Sequence, residues 1–541
     1  MPLFGSPGKR RRDKGPAALG GGLTEQQWQV APTPTKMVLS ALASYPARTA
    51  FQMGSQSLTY RATLDLIGRM QGVMARSGVG RGDVVAGLSS NRFEAWCAGV
   101  AAHALGAITT PLHPLGSLQD HIDQIEDTEA SFLVVDVDHY RERAGQLAEV
   151  ASLNTMLTLG KAGLGFDLLE AAYANAYSAI DLSQLGDVAS LNYTGGTSGR
   201  AKGVVRTHRE LSAGSACILA NFPLPRAPIF LTAAPITHMA GLFVAPVLAR
   251  GGTVDLMPSF SPNGVVKRIQ ENSVTFTLLV PSMIYAMLDD PSWGREHVRS
   301  LELLVYGASP MSPTKLSEGL ERFGPVFCQL YGQTECFVIS ALGFDDHDPQ
   351  KPHLLASAGR PMVECDVRIR SDEAQDLAPG QRGEICVRAP YAMRGYWKQP
   401  KASEEVLKDG WVHTGDVAWR DEEGRIYIVD RKKDLIVSGG FNIYPRDVED
   451  ALRAHPGVIN AAVVGVPDPK WGEAVKAFVV RRSNEGPNGD TLSAWVKEKK
   501  GSTHAPKSFE FVEELPLTAL GKVDKASLRA PFWTGLDRAV N

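Results

Sequence analysis

From about residue 28 to residue 430, short apolar runs alternate with stretches of helical period. Residues 84–88 (VVAGL) read as a strand, 93–105 as a helix and 131–136 (SFLVVD) as a second strand. The alternation returns at 274–280, 281–288 and 301–306 as strand, helix and strand. Strand–helix–strand order with uninterrupted apolar strands predicts parallel sheets covered by helices. Beyond about Lys433 a smaller unit is predicted, with a helix at 446–455, strands near 459–466 and 475–480, and a helix near 491–500. The expected fold is α/β. A large N-terminal domain (28–432) of parallel or mixed sheets is flanked by helices, and a small mobile C-terminal α+β domain (433–541) follows. Residues 1–27 form a basic, disordered arm around Lys9-Arg10-Arg11-Arg12. No internal repeat is visible.

Composition narrows the class. At roughly 150 residues per domain, 541 residues allow several domains. With 44% apolar and 21% charged residues, a long disordered protein is excluded. The formal charge of −3 gives no global field for nucleic acid or an anionic membrane surface. Six scattered cysteines, with no CxxC, argue against a zinc module or a disulfide scaffold and for reduced thiols in a cytoplasmic protein. No run reaches the ~18 apolar residues of a spanning helix, so integral membrane association is not expected. The apolar part of the N-terminal arm is too short and broken for a signal peptide.

The most informative stretch is Tyr193-Thr-Gly-Gly-Thr-Ser-Gly-Arg-Ala-Lys-Gly-Val204, between an apolar lead-in and a helix predicted from His208. Its glycines (Gly195, Gly196, Gly199) let the main chain approach a bulky anion. Exposed N–H groups and the hydroxyls of Thr194, Thr197 and Ser198 supply donors for the anion's oxygens. Arg200 and Lys202 add positive charge. A Walker loop cannot be registered, because position 201 is Ala, and Ser198 lacks the spacing of a nucleophile elbow. Phosphate binding is favoured over a plain surface turn.

This loop resembles the signature of the adenylate-forming superfamily, which includes acyl-CoA synthetases, aryl-CoA ligases, adenylation domains and beetle luciferases. The resemblance runs from about residue 28 to 535. It is closest to bacterial, mycobacterial-type fatty-acid or aryl-acid CoA ligases, a branch suggested by Pro111-Leu-His-Pro-Leu-Gly-Ser117 and the Tyr-Thr-Gly-Gly start of the loop. Ala201 and Gly195 depart from the Pro and Ser usual in the superfamily, and Gly195 removes one hydroxyl.

The chemistry implied needs no protein nucleophile, because a substrate carboxylate attacks the α-phosphorus of ATP. The protein must hold two anions in line and neutralise developing charge. By resemblance, Gln329-Leu-Tyr-Gly-Gln-Thr-Glu335 follows a strand and supplies Tyr331 against adenine, Thr334 at the α-phosphate and Glu335 on Mg²⁺, with Gln329 and Gly332 beside them. Thr194 would share the metal and catalytic roles. Thr334 alone also fits a helix N-cap. Gly307, Ala308 and Ser309 resemble the lining of the adenine and acyl pockets. In Ala233-Ala-Pro-Ile-Thr-His-Met-Ala-Gly241, His238 would lie near the carboxylate and Gly241 in the acyl pocket. Asp416, in Gly410-Trp-Val-His-Thr-Gly-Asp416, would accept from the ribose hydroxyls. Ile428 and Arg431 would complete the nucleotide site, and Lys433 would be the hinge between domains. Ser438, Gly439 and Gly440 would border the pantetheine of coenzyme A. Lys522, in Pro516-Leu-Thr-Ala-Leu-Gly-Lys522, would be the catalytic cation bridging carboxylate and phosphate.

The resemblance thus implies an ATP-, Mg²⁺- and CoA-dependent acid–CoA ligase acting as a monomer or homodimer, with small-molecule partners and no nucleic acid. A luciferase-like or stand-alone adenylating enzyme shares the first half-reaction. A non-catalytic nucleotide-binding protein would be expected to lack Lys522, Glu335 or Asp416, and all three are present. The pocket segments hold small and apolar residues (Ala240, Gly241, Ala308, Phe337, Val338) with no Lys or Arg to pair a second carboxylate. A hydrophobic monocarboxylic acid is therefore expected, either an aryl acid such as ferulate or a medium- or long-chain fatty acid.

Overall fold

The computed structural model describes residues 32–150, 152–194, 201–438, 441–483, 485–518 and 522–534. The expected basic arm (1–27) lies outside them, and the first described helix is α1 (Pro34–Ser44). Thr33 caps that helix by accepting from the Lys36 N–H. A longer, alanine-rich helix, α2 (Phe93–Ala104), is buried along most of its length.

An eight-stranded sheet carries the glycine-rich loop. Its middle is parallel and includes Val84–Leu88, Phe132–Val135 and Ile108–Pro111. Phe132–Val135 is buried at every position, which is why its sequence is apolar without alternation. Beside Ile108–Pro111 lies β1 (Val188–Thr194), paired antiparallel with β2 (Lys202–Thr207). The helix that follows, α3 (His208–Asn221), starts with a capping box between Thr207 and Glu210.

A nine-stranded sheet forms the second layer. Its parallel centre includes Ile229–Thr232, Phe276–Leu279, β3 (Leu303–Gly307) and β4 (Phe327–Gln333). The antiparallel β5 (Phe337–Leu342) extends it. The large hydrophobic core runs from Val38 to Ile426. It is shared by both sheets, by α1–α3 and by a third, antiparallel sheet that contains β6 (Trp411–Arg420) and β7 (Ile426–Arg431). A fourth sheet is assembled entirely from residues 436–511 and packs on α4 (Pro445–Arg453).

The helix at Pro281–Leu288 and the strand at Val84–Leu88 have the bounds that the sequence predicts. One placement differs. The segment Gln329–Gln333 lies inside β4 rather than after it, because its main chain pairs with Tyr306 and Gly307 on one side and with β5 on the other. Among the described residues, no helix is long and apolar enough to cross a membrane.

Candidate active site

β1 and β2 are the two stems of the glycine-rich loop, and Thr194 on one faces Lys202 on the other. The loop's tip, with Gly195, Gly196, Thr197, Ser198 and Gly199, lies outside the described residues. Its stems fix where it emerges. The Lys202 ammonium sits 5.0 Å from the ring centroid of Tyr396, which lies on a two-residue strand paired with β2. The Tyr396 hydroxyl donates to Glu335 Oε1 at 2.8 Å, and the Met393 N–H donates to the Glu335 carbonyl at 2.8 Å. The expected phosphate-binding lysine and metal-binding carboxylate therefore flank one tyrosine, although 133 positions separate them in sequence.

The second corner is built by β3 and β4 running in parallel, with Gly307 opposite Leu330. A β-carbon on Gly307 would lie 2.4 Å from the Leu330 carbonyl oxygen, so no larger residue fits there. Ala308 takes a left-handed φ of 68° and turns the chain toward Ser309. On β4, the Tyr331 hydroxyl donates to Asp416 Oδ2 at 2.6 Å. Asp416 faces Arg431 across β6 and β7, and its Oδ1 is 3.2 Å from the Arg431 Nε. Burial and the adjacent Asp416 carboxylate push the Tyr331 hydroxyl well above its ordinary range, so it stays protonated and donates. Gln329 Oε1 and Gln333 Nε2, on the same strand, are buried with no partner among the described residues. An orphaned acceptor and an orphaned donor beside Tyr331 suit the mixed donor–acceptor edge of a purine. Thr334 and Glu335 occupy the turn from β4 into β5.

The third corner comes from the C-terminal sheet. The Arg446 N–H at the start of α4 donates to Asp430 Oδ2 at 2.8 Å, and its guanidinium donates to the Ile428 carbonyl at 2.8 Å. Those contacts seat the C-terminal unit on β7. The turn bearing Lys522 is closed by the Thr518 N–H donating to the Lys522 carbonyl and by a bridge between Leu517 and Val523. Burial, then the neighbouring Arg431 guanidinium, lowers the Lys522 ammonium to about 8 against the pull of Asp416. Lys522, Arg431 and Asp416 are thus electrostatic neighbours. Lys433 lies in a short turn, Lys432–Asp434, where burial and Arg431 lower its pKa as well. That turn is tied on both sides, by Lys432 to Asp372 (2.6 Å) and by Arg529 to Asp434 (3.2 Å). Ser438 ends the strand Ile436–Ser438, while Gly439 and Gly440 lie outside the described residues.

On the acid side, His238 packs edge-on against His113 at 4.6 Å, so the Pro-Leu-His-Pro segment and the acyl-pocket motif meet. Burial and His113 push His238 down to about 4, which leaves it neutral at pH 7. It can exchange hydrogen bonds with a carboxylate and cannot pair it as a cation. Gly241 is required by the fold, since a β-carbon there would lie 2.0 Å from the Ile236 carbonyl oxygen.

Motif reading misses two residues. Tyr396 touches Glu335 from 61 positions away. Arg206 is 2% exposed, with Nε and Nη2 unpartnered among the described residues and its guanidinium 3.8 Å from the Phe337 ring centroid. Burial lowers Arg206 to about 10, opposed chiefly by Glu335. A cation therefore does stand beside one pocket segment, screened by an aromatic ring.

Residues 39–397 match the AMP-binding enzyme family and residues 447–522 match the AMP-binding enzyme C-terminal domain. The chain belongs to the AMP-binding enzyme family. It is 40% identical to the medium/long-chain-fatty-acid–CoA ligase FadD8 of Mycobacterium tuberculosis, over 93% of this chain and 91% of that protein. It is 36% identical to a feruloyl-CoA synthase of an Amycolatopsis species, over 90% and 96%. The acid–CoA ligase branch indicated by the motifs is the branch of these relatives. Among solved structures, the amide bond synthetase McbA of Marinactinospora thermotolerans superposes with a TM-score of 0.85 at 32% identity, over 92% of this chain and 100% of that one. ATP-bound MatB of Rhodopseudomonas palustris gives 0.84 at 28% identity, over 93% and 99%, whereas the apo form of MatB gives 0.74 over the same shares.

Proposed function

We propose that this site joins a hydrophobic monocarboxylic acid to coenzyme A through an acyl adenylate, with ATP cleaved to AMP and pyrophosphate. The observation that carries the reading is the meeting of Tyr331, Asp416, Arg431 and Lys522, drawn from four separated motifs, around one carboxylate. Asp416 accepts from Tyr331, is ion-paired with Arg431 and is placed to accept from ribose hydroxyls. Tyr331, with the unpaired amide groups of Gln329 and Gln333, frames the base, and Gly307, Ala308, Ser309, Gly332 and Ile428 leave room for it. Thr194 and Lys202 stand at the two ends of the phosphate loop, and Thr334 lies at the α-phosphate.

Mg²⁺, when bound, neutralises phosphate charge, and Glu335 with Thr194 would hold it. One protein carboxylate plus phosphate oxygens is an ordinary ligand set for that ion. The Lys522 ammonium bridges the attacking carboxylate and the α-phosphate oxygens, a fixed cation aimed at charge that grows in the transition state. The acid's oxygen then bonds to phosphorus as the bond to pyrophosphate breaks.

For the second half-reaction, the segment 433–541 turns about Lys433 relative to 28–432, withdrawing Lys522 and bringing Ser438, Gly439 and Gly440 to the thiol. Rotation must break the Arg446–Asp430 and Arg446–Ile428 contacts that seat the present arrangement. The CoA thiolate attacks the acyl carbonyl and AMP leaves. Incubation with ATP, Mg²⁺, CoA and a panel of acids should release AMP, pyrophosphate and acyl-CoA in equal amounts. Hydrolysis of ATP to ADP, or turnover indifferent to added acid, would overturn the reading.

A further inference from the structure

Two successive aromatic residues, Tyr396 and Trp397, meet the stems of the glycine-rich loop. The strand Gly395–Tyr396 pairs antiparallel with β2, with Tyr396 opposite Val204, and the Trp397 N–H donates to the Gly203 carbonyl at 2.7 Å. Gly203 faces Tyr193 across β1 and β2, and a β-carbon there would come within 2.8 Å of the Tyr193 ring. The Tyr193 hydroxyl in turn donates to the Asp127 carboxylate. The Trp397 indole N–H donates to the Asp127 carbonyl at 3.2 Å, in the last turn of the helix Leu118–Thr128. Carbonyls in that turn have no acceptor role left inside their own helix and take outside donors. Both stems are thus tied to one helix end, β1 through Tyr193 and β2 through Trp397.

The same short segment holds Glu335. The Met393 N–H donates to its main-chain carbonyl, and the Tyr396 hydroxyl donates to its Oε1, both at 2.8 Å. Among the described residues no other hydrogen bond reaches that carboxylate, which leaves Oε2 for a cation. A carboxylate fixed on one oxygen by a neutral donor keeps its full charge and loses its freedom to turn. The Tyr396 ring also carries the Lys202 ammonium, 5.0 Å from its centroid. Residues 393–397 therefore grip the metal-binding acid with one end and the phosphate-loop stems with the other.

We propose that Tyr396 and Trp397 are positioning residues for ATP, Tyr396 by aiming the Glu335 carboxylate at the metal and Trp397 by fixing the stems from which the phosphate loop emerges. Together they set the distance between the metal-binding acid and the phosphate donors. This rests on the reading of the site as ATP-binding and acid-activating. Neither residue touches the reacting atoms. Partners that orient a metal-binding carboxylate typically carry ten- to a hundredfold in metal affinity, so their loss is measurable in binding alone.

The test is calorimetric binding of AMP, of ATP in EDTA and of ATP with Mg²⁺ to the full chain, with no turnover. Tyr396→Phe keeps the ring beneath Lys202 and removes only the hydroxyl. It should weaken binding of ATP with Mg²⁺ at least fivefold, while AMP and metal-free ATP bind within about twofold of wild type. Added to Glu335→Gln, it should cost less than about twofold more, because the charge it aims is already gone. Trp397→Phe should weaken ATP at least threefold with and without Mg²⁺ and leave AMP within about twofold. Tyr193→Phe, which frees the opposite stem from Asp127, should repeat that pattern if Trp397→Phe fails to fold. Binding of ATP with Mg²⁺ within twofold of wild type in Tyr396→Phe, an additive loss in the double variant, or equal losses for AMP and ATP would overturn the assignment while leaving ATP binding by the wild type intact. A wild type that binds no ATP under any of these conditions would instead remove the acid-activating reading, and the positioning roles with it.

Discussion

Lys522 makes the pH dependence of adenylation a sharp test. Burial beside Arg431 and Lys433 brings its ammonium down from 10.5 to about 8 in the structure. The charged form is the one that bridges carboxylate and phosphate, and it is lost as pH rises through the lowered value. With a pKa of 8, about nine-tenths of Lys522 is charged at pH 7 and about one-tenth at pH 9. kcat/KM for ATP in the first half-reaction should therefore fall about tenfold between those pH values and continue with unit slope above. Lys522→Arg keeps a cation that does not titrate in this range. Whatever its absolute rate, its profile should be flat from pH 7 to 9.5. Pyrophosphate release is measured in a single turnover without CoA, so that thiol ionisation does not enter. A wild-type profile flat to pH 9.5, or the same alkaline limb in Lys522→Arg, would refute the assignment of Lys522 as the adenylating cation.

Further outcomes follow from the same contacts. Lys522→Ala should slow adenylation by roughly 3–4 kcal/mol, or two to three powers of ten, yet still convert supplied acyl-AMP and CoA to thioester; equal loss in both assays would count against separate roles. Asp416→Asn weakens the acceptor shared by Tyr331 and Arg431. At about 1.5–3 kcal/mol for hydrogen bonds to a charged group, KM for ATP should rise at least tenfold, and an unchanged KM would exclude ribose binding there. Burial beside His208 lowers His103 to about 3. Its folded pKa lies below the unfolded value of about 6.5, so its contribution to stability is complete above pH 6.5 and is lost as pH falls toward 3. Between pH 6.5 and 5 this single group should remove about 1.5 kcal/mol, and urea titrations of His103→Gln should show a correspondingly shallower pH slope than wild type.

The fold was legible where burial is continuous. Phe132–Val135 and Phe276–Leu279 are buried at every position, and runs of that kind have one stable place, inside a covered sheet. The site was legible wherever a motif concentrates its chemistry locally. Thr194, Glu335, Asp416 and Arg431 each stand inside such a run, and the structure brings the last two together with Tyr331. What stayed hidden are contacts made across the chain by residues with ordinary local context. Tyr396 follows a glycine in a stretch that reads as a strand end, and only the pairing of that strand with β2 carries it to Glu335. Arg206 follows two valines on β2, and its burial under Phe337 depends on where the β4–β5 turn falls. The bounds of β4 were misjudged because Gly332 and the flanking glutamines look like a loop. Pairing on both sides holds them in the sheet.

The central claim, that an organic acid displaces pyrophosphate from ATP at the Tyr331–Asp416–Lys522 corner, is tested most directly by isotope exchange between pyrophosphate and ATP. The purified protein, given Mg²⁺, labelled pyrophosphate and dodecanoate but no CoA, should return label to ATP, and should stop doing so when the acid is left out or Lys522 is replaced by Ala. Label entering ATP equally with and without acid, or never entering it with any acid supplied, would contradict the claim.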